Sequence, residues 1–424
     1  FAQHGPAFVT IPNDLANKPI PADGYYSSAA NFARPQLAAP ADDQINQVLE
    51  LLKQAQKPLI YVGQGAINAA SEVMTFAQKF QVPIITTALG KEIIPYDFEA
   101  LLGSAARVAS KPANEALPET DLILFMGSNY PFAEAMFKPN IKFVQVDTNP
   151  QVLGKRHHTD VAILADVKQT LQRLIALGED APASPWYAAN VANVANWHQY
   201  NDDMMNRDSG DLRFEPAFKE INRISTDDAI YSIDVGDVTQ NAVRLLKVNG
   251  RQPWITSGLF ATMGVGLPGA IAAQLDYPQR QVFNLVGDGA AAMVMQDLAT
   301  EVTYGLPVIN VVFTNLALGY IEDEQEDDGQ EWFGISLPKT DFAQVAEAQG
   351  LTGITVSKIS EVKDAFDEAL SISQSGKPVL IDVRMTNERP IPVEKLTLDP
   401  DKFDDDMISS MLSNSGTMLK NWCH

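Results

Sequence analysis

One strand-helix-strand segment constrains the fold of this chain more than any other feature. The apolar run 281–286 has strand length and ends at a Gly-Asp-Gly triplet centred on Asp288. Residues 290–304 have helix-forming composition, and a second apolar run, 308–313, ends just before Asn315. A right-handed crossover brings the carboxyl ends of two parallel strands to one edge of a sheet. The spacing therefore predicts that Asp288 and Asn315 lie together.

The residue types at this edge indicate a cation bound to a diphosphate. A carboxylate and an amide carbonyl are hard oxygen ligands of the kind that Mg²⁺ prefers. The glycines on both sides of Asp288 let the backbone approach a bulky anion. A Gly-Asp-Gly triplet alone also serves simple strand-to-helix turns, so this interpretation depends on the Asn one crossover later.

Composition excludes several classes of protein. The chain has 424 residues, 46% of them hydrophobic, which is enough for two domains and part of a third. Its formal net charge of -22 argues against partners such as nucleic acid or anionic membranes. The one cysteine, Cys423, excludes an internal disulfide framework, and the histidines lack zinc-ligand spacing. With no run of membrane-spanning length and no signal peptide, we predict a soluble, cytoplasmic protein.

Strand and helix patterns alternate twice along the chain, which predicts an α/β fold with two doubly wound parallel sheets. We assign residues 41–176 and 213–389 to these two domains, with a linker helix in 177–212. Residues 1–40 contain a strand and a Pro- and Ala-rich linker, and residues 390–424 form an acidic tail.

Loops that follow the strands of the first domain carry candidate ligand-binding residues, because ligands bind beyond the carboxyl ends of such strands. Gly63 and Gly65 form a GxG, but Asn68 replaces the third glycine of a dinucleotide fingerprint, so a plain turn explains them equally well. Asp147 and Asp166 could reach a ribose or adenine, or serve as turn and N-cap residues.

Two further loops in this domain are less easily explained as turns. The segment GSAARVASKPANEAL contains Arg107, and the loop GSNYPFAE contains Asn129 and Phe132. Exposed aromatic residues after an apolar strand suggest a surface for a flat ring.

Several motifs together resemble a known family. The Gly-Asp-Gly triplet, Asn315 and the following LALGYIEDEQ resemble the thiamine-diphosphate signature, although Thr314 replaces the first Asn of the family's pair. With SGLFATMGVGLPGAIAA, KPANEAL, NYPFAE and GYIEDEQED, the chain resembles the thiamine-diphosphate- and FAD-dependent pyruvate oxidase family over essentially its whole length.

The resemblance implies cofactors and site residues, with Asp288, Asn315 and the carbonyl of Ala317 as Mg²⁺ ligands. It places thiamine diphosphate against Val235, Gly236, Met263, Gly289 and Ala290, and the substrate against Tyr320, Ile321 and Glu324. It places FAD in the first domain, at Gly63, Gly65, Thr87, Arg107, Asn129, Phe132, Asp147 and Asp166. A Met at position 263 is also typical of plain core, and Glu324 lies in an acidic run that could be a solvated helix face.

The activity implied is oxidative decarboxylation of pyruvate with phosphate and O₂, giving acetyl phosphate, CO₂ and H₂O₂ in a homo-oligomer, a dimer of dimers (homotetramer). The stretch GPAFVTIPND resembles the end of the family's pyrimidine-binding domain. The glutamate that activates the aminopyrimidine in that domain has no matching position here. We therefore expect the chain alone to have little activity.

Three alternatives remain open. A pyruvate:quinone oxidoreductase would need a membrane-active amphipathic C-terminal helix, and the acidic DKFDDDMISSMLSNSG argues against one. An acetolactate synthase-like enzyme shares the cofactor signature. A chain that binds FAD or diphosphate without turnover would explain the missing glutamate.

Overall fold

The computed structural model describes residues 8–24, 39–105, 108–129, 137–138 and 140–390. Within them the chain forms two six-stranded sheets in which every strand pair is parallel. The strands are β1 (Pro58–Val62), β2 (Ile84–Thr86), β3 (Leu101–Ser104), β4 (Leu122–Met126), β5 (Lys142–Asp147), β6 (Val161–Leu164), β7 (Ile230–Ile233), β8 (Trp254–Ile255), β9 (Val282–Gly287), β10 (Ile309–Thr314), β11 (Thr352–Val356) and β12 (Val379–Arg384).

Helices cover both faces of each sheet. They are α1 (Asp42–Gln54), α2 (Ala70–Phe80), α3 (Lys111–Ala116), α4 (Val167–Leu177), α5 (Pro185–Met205), α6 (Phe214–Ile224), α7 (Asp237–Leu245), α8 (Gly266–Asp276), α9 (Asp288–Val294), α10 (Leu298–Tyr304), α11 (Gly319–Asp327), α12 (Phe342–Gln349) and α13 (Ile359–Gln374). The predicted fold class, α/β with two doubly wound parallel sheets, is confirmed.

Strand order places a crevice in each sheet. The first sheet runs β3-β2-β1-β4-β5-β6, so its order reverses between β1 and β4. The second runs β11-β12-β10-β9-β7-β8 and reverses between β7 and β9. Loops that leave adjacent strands in opposite directions open a crevice at the carboxyl edge.

Each sheet is buried on both faces because its strands are apolar at successive positions. In β9, Phe283 and Leu285 pack on the face covered by α6, α7 and α13, while Val286 packs on the opposite face with α8, α9 and α12. The sheets therefore form the middle layers of two three-layer sandwiches.

The crossover between β9 and β10 differs from the expected continuous helix. Residues 290–304 were predicted as one helix, but a 3₁₀ turn at Met295–Asp297 separates α9 from α10. The side chain of Gln349 donates to the carbonyl of Met295 (3.0 Å) and accepts from the amide of Ala299 (3.1 Å). The side chain of Gln349, which is distant in sequence, thus satisfies two backbone groups at the break. No local sequence signal predicts where the helix breaks.

Some elements were not predicted from the sequence. They are β3, β8, β11, α3 and α12. β8 has two residues, β11 is a half-exposed edge strand, and β3 contains Gly103 with a φ of 92°. Such strands are specified by their neighbours rather than by their own pattern.

Helix α5 joins the two sandwiches. Near its start the indole of Trp186 donates to the carbonyl of Pro58 on β1 (3.0 Å), and further along Tyr96 stacks on His198 with ring centroids 4.0 Å apart. From α7, the buried Arg244 donates through Nε to the carbonyl of Ala109 in the first domain (2.7 Å). The sandwiches are therefore held against one another by polar as well as apolar contacts.

A buried polar chain crosses the second sandwich. Asn284 donates to the side-chain oxygen of Asn310 (2.8 Å), and Asn310 donates to Oε2 of Glu301 (2.7 Å). Glu301 has no solvent exposure, and its Oε1 has no hydrogen-bond partner among the residues described. Burial raises the pKa of Glu301 to about 8, although the bond from Asn310 acts in the opposite direction.

This carboxyl predicts a pH-dependent stability. Between its unfolded pKa near 4.5 and its folded pKa of about 8, the folded state retains a proton that the unfolded state releases, so stability falls as pH rises through this window. The variant Glu301→Gln has no charge to bury. Relative to wild type it should gain up to about 4 kcal/mol between pH 5 and pH 8, measured by urea denaturation.

The exposed Glu347 on α12 supplies the matched control. Glu347→Gln should stay within about 0.5 kcal/mol of wild type. Parallel pH profiles for wild type and Glu301→Gln would contradict the assignment.

Candidate active site

A cavity of about 320 Å³ opens at the carboxyl edge of the second sheet. It lies where the strand order reverses, between the loops after β7, β9 and β10 and the first turns of α11. Its lining residues are Phe214, Val235, Gly236, Asp237, Val238, Ala261, Met263, Gly287, Asp288, Gly289, Ala290, Phe313, Asn315, Ala317, Leu318, Gly319, Tyr320, Ile321 and Glu324.

The structure brings together every candidate that the sequence placed in the second domain. The eleven residues are Val235, Gly236, Met263, Asp288, Gly289, Ala290, Asn315, Ala317, Tyr320, Ile321 and Glu324. They come from separate segments of the chain, so their meeting is a property of the fold.

Asp288 is held at the base of this cavity by the backbone. It is the first residue of α9 and is 5% exposed. One carboxylate oxygen accepts from the amide of Gly289 (2.9 Å) and the other from the amide of Leu316 (2.7 Å), in the loop after β10. The register that pairs Phe313 with Gly287 brings these two strand ends together.

The loop after β10 has an unusual backbone that turns Ala317 toward the cavity. Leu316 adopts a φ of 61°, a left-handed conformation that is rare for a residue with a side chain. The carbonyl of Leu316 accepts from Leu337 (2.9 Å), and the amide of Leu318 donates to Ile335 (2.8 Å). The strained residue is thus fixed by backbone bonds on both sides of Ala317.

Thr314 explains the departure from the family's Asn pair. Its hydroxyl donates to the buried carboxylate of Asp382 (2.6 Å), on the neighbouring strand β12. Successive strand residues face opposite sides. The side chain of Thr314 therefore hydrogen-bonds within the protein interior, whereas Asn315 lines the cavity.

The glycines of the site leave room for a ligand. A Cβ built at Gly236 or Gly287 would meet no heavy atom within 4 Å, and both residues line the cavity. At Gly289 a Cβ would lie 2.9 Å from a methyl of Leu318 and 3.2 Å from the terminal methyl of Met263. Met263 therefore lines the cavity on one side and packs against the core on the other. The cavity position and the core position that the sequence offered for this residue do not exclude each other.

Buried carboxyls give the cavity an acidic base. Burial raises the pKa of Asp288 to about 6 against the opposing backbone hydrogen bonds. Burial, followed by the charges of Glu322 and Asp288, raises the pKa of Asp237 to about 7. On helix α11, outside the cavity lining, burial also raises the pKa of Asp323 to about 7, with Arg389 opposing. Accumulated negative charge of this kind favours a bound cation.

Asp237 is a cavity residue that the sequence analysis missed. It begins α7, and its buried Oδ1 has no hydrogen-bond partner within the described ranges. A sequence signal was available, since Gly236-Asp237 after β7 repeats the Gly287-Asp288 dipeptide after β9.

Helix α11 presents the substrate-side candidates. Ile321 is 42% exposed, while Tyr320 and Glu324 are half-buried. The guanidinium of Arg389 makes two 2.7 Å hydrogen bonds to the carboxylate of Asp327 at the end of this helix. The acidic run is thus partly neutralised and anchored, rather than wholly solvated.

The glycine candidates of the first sheet have a structural explanation. A Cβ at Gly63 would lie 2.5 Å from the carbonyl oxygen of Gly127, and one at Gly65 would lie 2.8 Å from its Cα. The loops after β1 and β4 therefore touch through their backbones at the crevice of this sheet.

The remaining first-domain candidates follow successive strands, and their side chains have local partners. Thr87 accepts from the amide of Gly90 (3.1 Å), and Asn129 accepts from Nε of Arg156 (3.0 Å). Asp147 accepts from the amide of Asn149 (2.8 Å), and Asp166 is the N-cap of α4. The turn and N-cap interpretations of the two aspartates are thus the observed ones. Arg107, Phe132 and most of the acidic tail lie outside the described residues.

The described part of the chain lacks two features that would have pointed to other functions. Within it, no three His, Cys, Asp or Glu residues are grouped so that they could hold a metal ion. A cation at Asp288 would therefore draw on amide and carbonyl oxygens and on a bound ligand. Among the helices of the described residues, none has the length and apolar composition to cross a membrane.

Comparison with known proteins agrees with this geometry. The thiamine pyrophosphate enzyme central domain matches residues 45–174, and the C-terminal TPP binding domain of the same enzymes matches residues 234–383. The first segment contains all six strands of the first sheet, and the second contains β8 to β11 and all but the last residue of β12, while β7 immediately precedes it.

Individual relatives align over most of the chain. A pyruvate oxidase of Lactiplantibacillus plantarum is 47% identical over 402 residues, which are 94% of this chain and 66% of that protein. YdaP of Bacillus subtilis, described as thiamine pyrophosphate-containing, is 33% identical over 92% of this chain and 67% of its own length. The acetolactate synthase isozyme 1 large subunit of Escherichia coli is 29% identical over 91% of this chain and 68% of its own length. The chain spans about two thirds of the length of these curated relatives. It belongs to the thiamine pyrophosphate enzyme family.

Proposed function

We propose that the cavity of the second sheet binds thiamine diphosphate with Mg²⁺, and that the protein oxidises pyruvate with phosphate and O₂ to acetyl phosphate, CO₂ and H₂O₂. One observation carries the proposal: eleven residues chosen from sequence line a single cavity whose base is a buried carboxylate. The relative named pyruvate oxidase supports the choice of substrate.

The residues present fit a diphosphate and its cation. Asp288 supplies a carboxylate, Asn315 an amide oxygen and Ala317 a carbonyl, all at the cavity wall. The helices α7 and α9 both begin here, and helix N-termini favour anions. The open space at Gly236 and Gly287 admits a group larger than water.

The chain's own side chains would position the substrate. Thiamine diphosphate, when bound, supplies a carbon nucleophile for a 2-oxo acid, and FAD supplies a two-electron acceptor. Ile321 offers an apolar wall to the methyl group of pyruvate, and Glu324 lies one turn along α11, where its carboxyl can hold or move a proton. Tyr320 narrows the same side of the cavity.

We propose that FAD binds at the carboxyl edge of the first sheet. Five of its six strands have a candidate at or just beyond their carboxyl ends within the described residues: Gly63, Thr87, Asn129, Asp147 and Asp166. The close backbone contact at Gly65 and Gly127 fixes the loops after β1 and β4 against one another at the crevice, which is where an α/β sheet binds its ligand.

We also propose a homo-oligomer. Apolar side chains stand exposed near cavity segments in the sequence: Leu259 at 70%, Phe260 at 89% and Phe333 at 86%. Phe333 is tied to α11 by two hydrogen bonds: its amide donates to Oε1 of Gln325 (2.9 Å), and its carbonyl accepts from Nε2 of the same side chain (3.1 Å). Exposed apolar groups held in fixed positions favour a protein partner.

Asp288 is predicted to be essential for cofactor binding. Asp288→Asn keeps the size of the side chain but removes the charge from a cation ligand. Mutating a residue that hydrogen-bonds to a metal ligand typically lowers metal affinity about 10- to 100-fold. Loss of the ligand itself should therefore lower the affinity at least about 100-fold. The measurement is calorimetric titration of thiamine diphosphate in Mg²⁺.

The exposed Asp276 at the end of α8 provides a control with the same change of charge. Asp276→Asn should bind as wild type does. Equal affinities for Asp288→Asn and wild type would refute the metal assignment.

Flavin binding is predicted to depend on Gly65. The Cβ of Gly65→Ala would press on the backbone of Gly127 and force the two crevice loops apart. FAD affinity, followed by flavin fluorescence, should fall by about tenfold or more, which is about 1.4 kcal/mol. Gly154→Ala is the control for general destabilisation: its φ of 69° disfavours alanine, but a Cβ there meets nothing within 4 Å, so it should lose stability without moving the crevice loops and should retain FAD affinity. The idea fails if both variants retain wild-type FAD affinity, or if wild type binds no FAD.

Glu324 is predicted to act in turnover and not in cofactor binding. In the protein loaded with thiamine diphosphate, Mg²⁺ and FAD, Glu324→Gln should lower kcat for acetyl phosphate and peroxide formation by about 10²-fold, with thiamine diphosphate affinity retained. The exposed Glu331→Gln should retain wild-type kcat. If wild type forms acetolactate without taking up O₂, the proposed reaction is wrong and an acetolactate synthase activity is the correct assignment. If Glu324→Gln retains full activity, Glu324 has no role in turnover.

A further inference from the structure

We propose that Asn387, in the segment after β12, is a positioning residue that orients the amide of Asn315 toward the bound cation. This inference rests on the proposed Mg²⁺-diphosphate site and concerns a residue outside its lining. It follows from the order of three hydrogen-bonding groups.

An asparagine in a cation site must present the correct end of its amide. Its oxygen can bind the cation, whereas its NH₂ group repels it, and a half-turn about the last side-chain bond exchanges them. The partner of the other end therefore decides whether Asn315 is a ligand.

That partner is Asn387. The Nδ2 of Asn315 donates to Oδ1 of Asn387 (2.9 Å), and the Nδ2 of Asn387 donates to Oε2 of Glu322 (2.8 Å). A carboxylate offers only acceptors, so Glu322 requires the NH₂ end of Asn387. Asn387 then has only its oxygen for Asn315, and Asn315 has only its oxygen for the cavity.

A further contact keeps Asn315 in this orientation. Its Oδ1 accepts from the amide of Ala317 (3.2 Å), the residue whose carbonyl is the other proposed neutral ligand. In a flipped Asn315, the NH₂ group would face the amide N–H of Ala317, so two hydrogen-bond donors would point at each other. The carbonyl-type oxygen still has a second lone pair for a cation.

The start of helix α11 packs directly on the amide pair. A Cβ at Gly319 would lie 3.2 Å from Nδ2 of Asn315, 3.2 Å from Oδ1 of Asn387 and 2.1 Å from a carboxylate oxygen of Asp237. Only a residue without a side chain fits there. The helix that carries Glu324 is therefore seated on the pair that orients the proposed ligand.

The backbone around Asn387 is fixed from both sides. Before it, the amide of Met385 donates to Thr314 (3.0 Å) and that of Thr386 to Leu212 (3.1 Å). After it, Glu388 pairs with Arg213 and Arg389 binds Asp327 of α11. The segment thus ties the end of β10 to both ends of α11.

The experiment uses Mn²⁺ as a spectroscopic probe for the metal, titrated in saturating thiamine diphosphate and followed by the paramagnetic resonance signal of free Mn²⁺. Asn387→Leu keeps the approximate shape of the side chain and removes both bonds. Its Mn²⁺ affinity should fall about 10- to 100-fold. Because Asn387 is exposed, its melting temperature should stay within about 4 °C of wild type.

Glu322→Gln tests the polarity argument separately. Glutamine can donate or accept, so it no longer dictates the orientation of Asn387, and we expect about a threefold to tenfold loss of affinity. Asp328→Asn, at the exposed end of the same helix, is the control for the change of charge and should bind as wild type does.

Mn²⁺ affinity of Asn387→Leu within twofold of wild type would overturn the inference while leaving the proposed function intact. Wild type that binds no Mn²⁺ with thiamine diphosphate would overturn both. If Asn387→Leu does not fold, Glu322→Gln against Asp328→Asn decides, and equal affinities of that pair would overturn the inference.

Discussion

The parallel pairing of β9 with its neighbours β7 and β10 is the constraint on which the site depends. It holds two strand ends, Gly287 and Phe313, side by side. The reversal of strand order between β7 and β9 sends the following loops apart. The cavity is the space left between those loops, so the geometry of the site follows from backbone hydrogen bonds before any side chain is considered.

Buried charge is the cost of this arrangement. Asp237 and Asp288 line the cavity, Asp323 lies on the neighbouring helix α11, and burial raises the pKa of each. Backbone amides at Asp288 and the ion pair of Arg389 with Asp323 (3.7 Å) compensate only part of that cost. Buried carboxyls that are only partly compensated lower stability, and such groups are typical of functional sites.

The two sheets use the same topological feature differently. In the first, Gly63 and Gly65 let two loops touch at the crevice. In the second, Gly236 and Gly287 face open space, and the hydrogen bond from the amide of Leu316 to Asp288 joins the loops after β9 and β10 at one side of it. Glycine after a strand therefore has opposite consequences in the two halves: close contact in one, an empty volume in the other.

The sequence by itself determined the fold class, the positions of the long apolar strands and the meeting of Asp288 with Asn315. These follow from local periodicity and from the handedness of crossovers, both of which a single stretch of chain carries. Resemblance to the family extended the prediction to Met263 and Glu324. The roles of Asp147 and Asp166 stayed open, since a turn residue and a ligand have the same local pattern.

Only the tertiary structure decided the rest. The break between α9 and α10 depends on Gln349, and the edge strand β11 depends on its pairing with β12. The exposure of Asp237 to the cavity and the orientation of Asn315 by Asn387 join residues far apart in the chain. Such contacts leave no periodic trace in the sequence, because they are set by which elements pack together rather than by the propensity of any one of them.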